Sequence, residues 1–217
     1  MRPKLIVFAS GTKDGGGSGF ENLATSRDLD AEIVAVVSNH ENGGVRQRAD
    51  TLGVPFIHFK SEHTNIPKYV SMYQEIVETS GAEWVALSGW LKHVGGLDPA
   101  KTINIHPALL SYDNGRFGGK GMYGRHIHEA VKKALDAGEI SESGFTMHFV
   151  TEEHDRGPAF FEYRVALTRG MSVEEIAKTV NAAEHQWQPE VTNLVVHGEI
   201  RWDGHDPATL VVPANIT

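Results

Sequence analysis

Short apolar runs without polar alternation limit the fold of this 217-residue chain more than any other feature. Strands that are apolar on both faces need helices on both sides of their sheet, as in parallel sheets. The stretches between the runs have helical spacing, as at 66–79. We therefore predict an α/β fold, with a three-layer, mostly parallel twisted sheet and helices on both faces. The runs are LIVFAS (5–10), IVAVVSN (33–39), PFIHF (55–59), WVALSG (84–89) and TINIH (102–106).

The second half of the chain has a different pattern. It predicts a helix over 124–138, two strands over 144–150 and 159–167, and a long helix over 172–191. Ser172 and Glu175 form the capping-box pattern at the start of that last helix. No repeat or linker divides the sequence, and its length suits one sizeable core. We predict a single domain over 1–217 with an irregular tail from about 203.

Composition excludes several classes of protein. The net charge of −8 disfavours sequence-independent nucleic-acid binding, which needs a basic surface. The absence of cysteine excludes disulfides, thiolate metal sites and cysteine nucleophiles. No apolar run approaches the ~20 residues of a membrane span, and the first run is too short for a signal peptide. We expect a cytoplasmic protein with small-molecule partners, no nucleic acid and no membrane.

The glycine-rich stretch GGGSGF (15–20) follows the first predicted strand and precedes a helix starting near Phe20. Backbone N–H groups in such a loop, with the helix N-terminus, can hold a phosphate. Asn22 occupies the third glycine position of a dinucleotide fingerprint, and Ser38-Asn39 stands where its acidic ribose ligand is expected, so NAD is disfavoured. A flexible turn is the alternative interpretation.

The stretch NIHPALL (104–110) puts Asn104 and His106 at the end of a predicted strand, alternating with Ile103 and Ile105. Both polar side chains therefore face the same side. An amide donor and an imidazole placed together can hold and polarise a carbonyl oxygen. A satisfied polar pair packed under a loop is the alternative, and spacing alone leaves both open.

A third candidate, Asp155, lies in the polar loop of HFVTEEHDRGP (148–158). A carboxylate near His106 would orient its ring, raise its pKa and serve as a base. A solvated acidic loop is the alternative. His148 alternates within a strand and fits a core position. Among twelve histidines there is no H-E-x-x-H pattern, so we predict no metal.

In order along the chain, these motifs resemble the folate-dependent formyltransferases. The resemblance covers roughly residues 4 to 191 and includes AVVSN, LSGWLKHV, NIHPALL and HFVTEEHDRGP. The EH-x-x-x-P pattern in AAEHQWQP (182–189) is similar to the glycinamide ribonucleotide branch. The resemblance implies transfer of a formyl group from 10-formyltetrahydrofolate, as co-substrate, to the amine of glycinamide ribonucleotide. It also implies a monomer or homodimer.

The resemblance assigns roles to particular residues. Asn104, His106 and Asp155 match the catalytic trio, in which the first two stabilise an oxyanion and Asp155 assists proton transfer. The phosphate-binding half is about 1–102, and the catalytic and folate-binding half about 103–202. The substrate-binding positions are Gly17, Ser18, Gly19, Phe20, Glu21, Asn181 and Glu184. The folate-binding positions are Leu91, Lys92, His93, Val94, Thr151, Glu152, Glu153 and His154.

Three other functions stay open at this stage. A formyltransferase for an amino sugar nucleotide would share the trio but differ in its amine pocket. A methionyl-tRNA formyltransferase is disfavoured, because the ~25 residues after the last predicted helix are too few for a nucleic-acid-binding domain. A non-catalytic anion-binding module is the third. The loops at 10–20 and 111–124 are longer than in the family, and we hypothesise that Arg116, Lys120 and Arg125 add an anion contact.

Overall fold

A computed structural model of the chain describes residues 1–60 and 66–216, and a seven-stranded sheet forms its centre. Its strand order is β5-β4-β1-β6-β7-β8-β9. The first five of these strands are parallel, and β8 and β9 complete the sheet in antiparallel pairs. The predicted mostly parallel sheet is therefore confirmed. The strands are β1 (Lys4–Phe8), β4 (Glu32–Ser38), β5 (Phe56–His58), β6 (Trp84–Ser88), β7 (Thr102–His106), β8 (Glu142–Phe149) and β9 (Ala159–Ala166).

Helices cover both faces of the sheet, which confirms the three layers. In β1, Leu5 and Val7 pack into one core cluster with α1, α2 and α5, whereas Ile6 and Phe8 pack into another with α3. This two-sided burial explains why the strand sequences do not alternate. The helices are α1 (Ser18–Thr25), α2 (Gly44–Leu52), α3 (Ile66–Ser80), α4 (Arg125–Asp136) and α5 (Val173–Val196). Among the described residues no helix has the length and apolar character needed to cross a bilayer.

The chain changes direction across the sheet between β1 and β6. From β1 it continues to β4 and β5 on one side, while β6 and β7 lie on the other. Loops after the carboxyl ends of such neighbours diverge and leave a crevice, where α/β proteins bind ligands. The glycine-rich loop and the segment after β6 border this crevice.

Two elements differ from the sequence prediction. The stretch after β1 contains a small antiparallel ribbon, β2 (Gly11–Thr12) and β3 (Gly15–Gly16), before α1 starts at Ser18. Helix α5 runs beyond residue 191 to Val196 and passes through Pro189. Proline cannot donate to the carbonyl four residues earlier. Here the His185 carbonyl accepts from Asn22 Nδ2 instead, at 2.8 Å, so the helix continues.

Gly144 in β8 offers a test of close packing in the sheet. A Cβ built there would overlap the Tyr163 carbonyl oxygen of the neighbouring strand. We expect Gly144→Ala to lower the free energy of unfolding by about 3 kcal/mol, as measured by urea denaturation. Gly138→Ala is the matched control, because Gly138 also has a positive φ (75°) but nothing lies near its Cβ position; it should cost about 1 kcal/mol. Equal losses in the two variants would contradict the packing argument.

Candidate active site

Asn104 and His106 end β7, and the His106 ring is nearly enclosed, with 4% of the residue exposed. Its Nε2 lies 2.7 Å from the Phe117 carbonyl oxygen. Since a carbonyl only accepts, Nε2 carries the proton, and this hydrogen bond selects the tautomer. The other nitrogen, Nδ1, lies 3.5 Å from Asp155 Oδ1.

Asp155 occupies an unusual backbone conformation at this site, with φ of +54°. Non-glycine residues held in the left-handed region are enriched at functional sites. Its Oδ2 accepts from the Gly119 N–H at 2.8 Å. Burial raises the pKa of Asp155, but the His148 ring, the charge of His106 and the Gly119 hydrogen bond outweigh it and lower the pKa to about 2. The side chain is therefore a carboxylate throughout the physiological range.

The pKa of His106 moves the other way from the sequence expectation. Burial lowers it, and this effect exceeds the opposing influence of the Asp155 charge and of the Phe117 hydrogen bond. Asp155 does act in the expected direction by favouring the imidazolium. The net result is a ring that is neutral near pH 7 and has a carboxylate beside its free nitrogen.

His148 is a fourth member of this group. It pairs directly across from Asn104 in the β7–β8 ladder. Its Nδ1 donates to the Phe149 carbonyl at 2.7 Å, and Asn104 Nδ2 lies within hydrogen-bond distance of its Nε2, at 3.1 Å. The same Nε2 is 3.6 Å from Asp155 Oδ1. The core position predicted for His148 is correct, since it is 2% exposed, but its ring also orients Asn104.

The two segments predicted to bind folate face each other across a cavity. Residues 92–94, after β6, and residues 151–154, after β8, line it together with Asn104 and His148. The His93 and His154 rings meet edge to face at 4.8 Å. The Tyr69 and Tyr73 hydroxyls both donate to the His93 carbonyl, at 2.7 and 2.8 Å, and fix the first segment from α3. Leu91 is half exposed and lines the neighbouring cleft.

A larger cleft of about 360 Å³ adjoins this cavity and contains the predicted trio. Its walls are residues 89–93 on one side and residues 119–124 on the other, with His154 at the rim. Asn104, His106 and Asp155 all line it. The predicted trio and the predicted folate segments therefore meet in one place.

Five of the seven predicted substrate positions line a third cavity, of about 220 Å³; Phe20 and Glu21 do not. Its wall contains residues 16–19 from the glycine-rich loop and Asn181 and Glu184 from α5. Gly89, Ile105 and Pro107 line both this cavity and the cleft of the trio. The two spaces therefore adjoin at the end of β7.

The N-terminus of α1 points its free N–H groups at this third cavity. Gly17 caps the helix with a φ of 80°, and a Cβ on Gly19 would overlap Ser88 Oγ. Such bare backbone at a helix N-terminus suits an anion. The Phe20 side chain is fully buried in the core, and Glu21 pairs with Arg48 of α2. These two side chains therefore turn away from the cavity.

Arg48 escaped sequence reasoning because nothing in GGVRQRADTLG distinguishes it from a surface helix residue. Its Nε donates to the Gly16 carbonyl at 3.1 Å while its Nη1 holds Glu21. The guanidinium therefore joins both sides of the glycine-rich loop. His185 also lines the third cavity, and its buried Nε2 has no hydrogen-bond partner among the described residues.

Glu184 of α5 has an unusually high pKa for a carboxyl group. Burial raises the pKa of its carboxyl to about 7, although Asn181 Nδ2 donates to Oε2 at 3.2 Å and opposes this. A carboxyl poised near neutrality in a cavity is a ligand-binding candidate.

The raised pKa of Glu184 makes the stability of the ligand-free protein depend on pH. The folded-state value lies above the unfolded value of 4.5, so the folded state holds its proton more tightly. Stability is therefore lost as pH rises from about 4.5 through 7. We expect Glu184→Gln to raise the melting temperature relative to the natural protein at pH 8 but not at pH 4.5. Glu190→Gln, an exposed position on the same helix, is the control; an equal gain at both pH values would contradict the assignment.

The hypothesis of an added anion contact is wrong for two of its three residues. Arg116 pairs with Glu139, and Arg125 pairs with Glu129 and Glu174, all at exposed positions outside the three cavities. Only Lys120 lines the cleft. In the described part of the chain, no three His, Asp or Glu side chains group as a metal site.

Comparison with known proteins agrees with this geometry. A family model described as "Formyl transferase" matches residues 3–192. The chloroplastic phosphoribosylglycinamide formyltransferase of Arabidopsis thaliana is 32% identical over 210 residues, 93% of this chain and 68% of that protein. The Vigna unguiculata counterpart is 34% identical over 215 residues, but the chain spans only 63% of its length. The crystal structure of glycinamide ribonucleotide transformylase 1 from Symbiobacterium toebii matches with a TM-score of 0.78 at 25% identity, over 92% of this chain and 90% of that one.

Proposed function

The chain belongs to the formyl transferase family, and from that premise we propose that it transfers the formyl group of 10-formyltetrahydrofolate to the amine of glycinamide ribonucleotide. The names of its plant relatives and of the similar solved structure support this amine. The observation that carries the proposal is the junction of two cavities at the end of β7. One would hold the folate beside the trio, and the other would hold the phosphate and ribose.

In this proposal the two substrates react directly. The amine nitrogen attacks the formyl carbon, and a C–N bond forms while the carbonyl oxygen becomes an oxyanion. Asn104 has a second amide N–H, because only one is engaged with His148, and that N–H donates to the oxyanion. Collapse of the intermediate breaks the bond between the formyl carbon and N10 of the folate. Holding both substrates together supplies much of the acceleration.

One proton leaves the amine and one reaches N10 during the reaction. Asp155, with a pKa of about 2, is too weak a base to keep the proton. It passes the proton on, through water, and stabilises positive charge on its neighbour. The negative charge that develops on the formyl oxygen favours transfer of this proton to His106 Nδ1, which donates to that oxygen and then gives the proton to N10 as the bond between the formyl carbon and N10 breaks. His106 thus begins neutral and becomes charged in the transition state.

An assay with a panel of amines tests the proposal. Purified protein is mixed with 10-formyltetrahydrofolate and glycinamide ribonucleotide, an amino sugar nucleotide or a simple amine, and release of tetrahydrofolate is followed. We expect turnover with glycinamide ribonucleotide. Turnover with the amino sugar nucleotide alone would favour the second candidate, for which the long loops at 10–20 and 111–124 are the supporting observation. If tetrahydrofolate is released with none of the amines, the proposed reaction is refuted.

We also propose that the protein is cytoplasmic and that it is a monomer or homodimer. The N-terminal half would bind the phosphate, and the C-terminal half would bind the folate. Gel filtration with light scattering tests the oligomeric state.

A further inference from the structure

Arg156 directly follows Asp155, but its side chain reaches away from the cleft toward the 111–124 loop. Its Nη1 donates to the Asn114 carbonyl at 2.7 Å. The guanidinium also covers the bare backbone of Gly115, where any Cβ would overlap Nη1. This contact is thus specific to an arginine against a glycine.

The segment that Arg156 contacts has a strained backbone. Asp113 and Asn114 have φ values of 43° and 55°, in the left-handed region that non-glycine residues rarely adopt. Such residues keep this conformation only when their surroundings hold them. The hydrogen bond from Arg156 is a restraint on this turn.

The same loop contacts both buried catalytic residues a few positions later. The Phe117 carbonyl accepts from His106 Nε2, and the Gly119 N–H donates to Asp155 Oδ2. Residues 114 to 119 therefore carry three contacts, and two of them set the tautomer of His106 and the charge of Asp155.

We propose that Arg156 is a positioning residue, which holds the 111–124 loop so that Phe117 and Gly119 orient His106 and Asp155. The effect of Arg156 on kcat rests on the proposed function, whereas the effect of Arg156 on the tautomer of the His106 ring does not. Without Arg156 the strained turn relaxes, and the two backbone groups lose their alignment with the catalytic side chains.

Arg169 provides a matched control outside the loop. Its guanidinium also donates to a backbone carbonyl, that of Asp136 at 2.8 Å, but the residue is exposed and lines none of the three cavities. Arg169→Ala therefore removes an equivalent bond without touching the loop that contacts His106 and Asp155.

Steady-state kinetics provide the first measurement. We expect Arg156→Ala to lower kcat by about 10–100-fold, since a small misplacement of catalytic groups has effects of this size. KM for both substrates should stay within about threefold, because the folate cavity and the third cavity contain no residue of the 111–124 loop. Arg156→Lys, which keeps one donor for the Asn114 carbonyl, should recover part of kcat. Arg169→Ala should keep kcat near the natural value.

Side-chain ¹⁵N NMR of the histidines gives a second measurement that needs no substrate. His106, assigned by loss of its signals in His106→Asn, should show the single Nε2–H tautomer in the natural protein and a mixture in Arg156→Ala. Gly115→Ala, which displaces the guanidinium, should have the same effect and serves if Arg156→Ala does not fold. The double variant should be no worse than either single one. A single Nε2–H tautomer in Arg156→Ala, or an equal kcat loss in Arg169→Ala, would overturn the proposal, whichever amine the enzyme accepts.

Discussion

Replacing His106 with alanine should lower kcat by roughly 10³–10⁴-fold and change KM for either substrate little. The ring would supply both a proton and a hydrogen bond to the oxyanion, and each effect alone is worth about 10²–10³-fold or more. Neither exists in the ground state, because burial keeps the resting ring neutral. Initial rates at varied concentrations of both substrates measure the effect.

The control for this variant is His126→Ala, since His126 lies exposed on α4 and pairs only weakly with Glu129 at 3.6 Å. It should keep its kcat within about twofold, as typical surface substitutions do. A His106→Ala protein with a raised KM and an intact kcat would mean that the ring binds substrate or supports the fold and does not act on the reacting atoms.

Replacing Asp155 with asparagine should lower kcat by roughly 10²–10⁴-fold, the range for loss of a group that transfers a proton. Asparagine tolerates the positive φ of this position and can still accept the Gly119 hydrogen bond. The substitution therefore removes charge and little else. Without the carboxylate, the imidazolium that forms beside it is no longer stabilised, and the amine proton has no relay.

Activity across pH distinguishes this role from a structural one. Because the pKa of Asp155 is about 2, its ionisation leaves the natural enzyme's rate unaffected between pH 5 and 8. In Asp155→Asn the remaining rate should rise with pH, as hydroxide and buffer bases replace the relay. Asp28→Asn, the same substitution at an exposed position outside the three cavities, is the control. A kcat for Asp155→Asn within threefold of the natural enzyme would refute proton transfer through this residue.

The strands could be predicted because each is covered on both faces. Burial on both faces leaves a continuous apolar run, which is visible in the sequence alone. Leu5 to Phe8 show this directly. The candidate site followed from strand ends, from the polar loop that contains Asp155, and from a resemblance that assigned roles to these residues. The sequence alone could not pair Asp155 with His106, because Asp155 lies in the loop after β8 while His106 ends β7, and the two meet only through the antiparallel β7–β8 ladder.

What the sequence did not predict depends on contacts between distant segments. Pro189 removes a backbone donor inside α5, and Asn22, 167 positions earlier, takes the place of that donor. Arg48 looked like a surface residue until the fold placed it against Gly16. His148 was assigned correctly to the core, but its bond to Asn104 follows from strand register, which the sequence does not specify.

The bond from Asn22 to the His185 carbonyl also sets a length scale for the substrate. It fastens α1, whose N-terminus would hold the phosphate, to the turn of α5 that carries Glu184. This bond therefore helps to hold the proposed phosphate site at a constant distance from Asn104. On the proposed function, the enzyme accepts an amine whose phosphate and amine nitrogen are separated by that distance. Phosphorylated amines that are shorter or longer cannot place their nitrogen at Asn104 and are rejected.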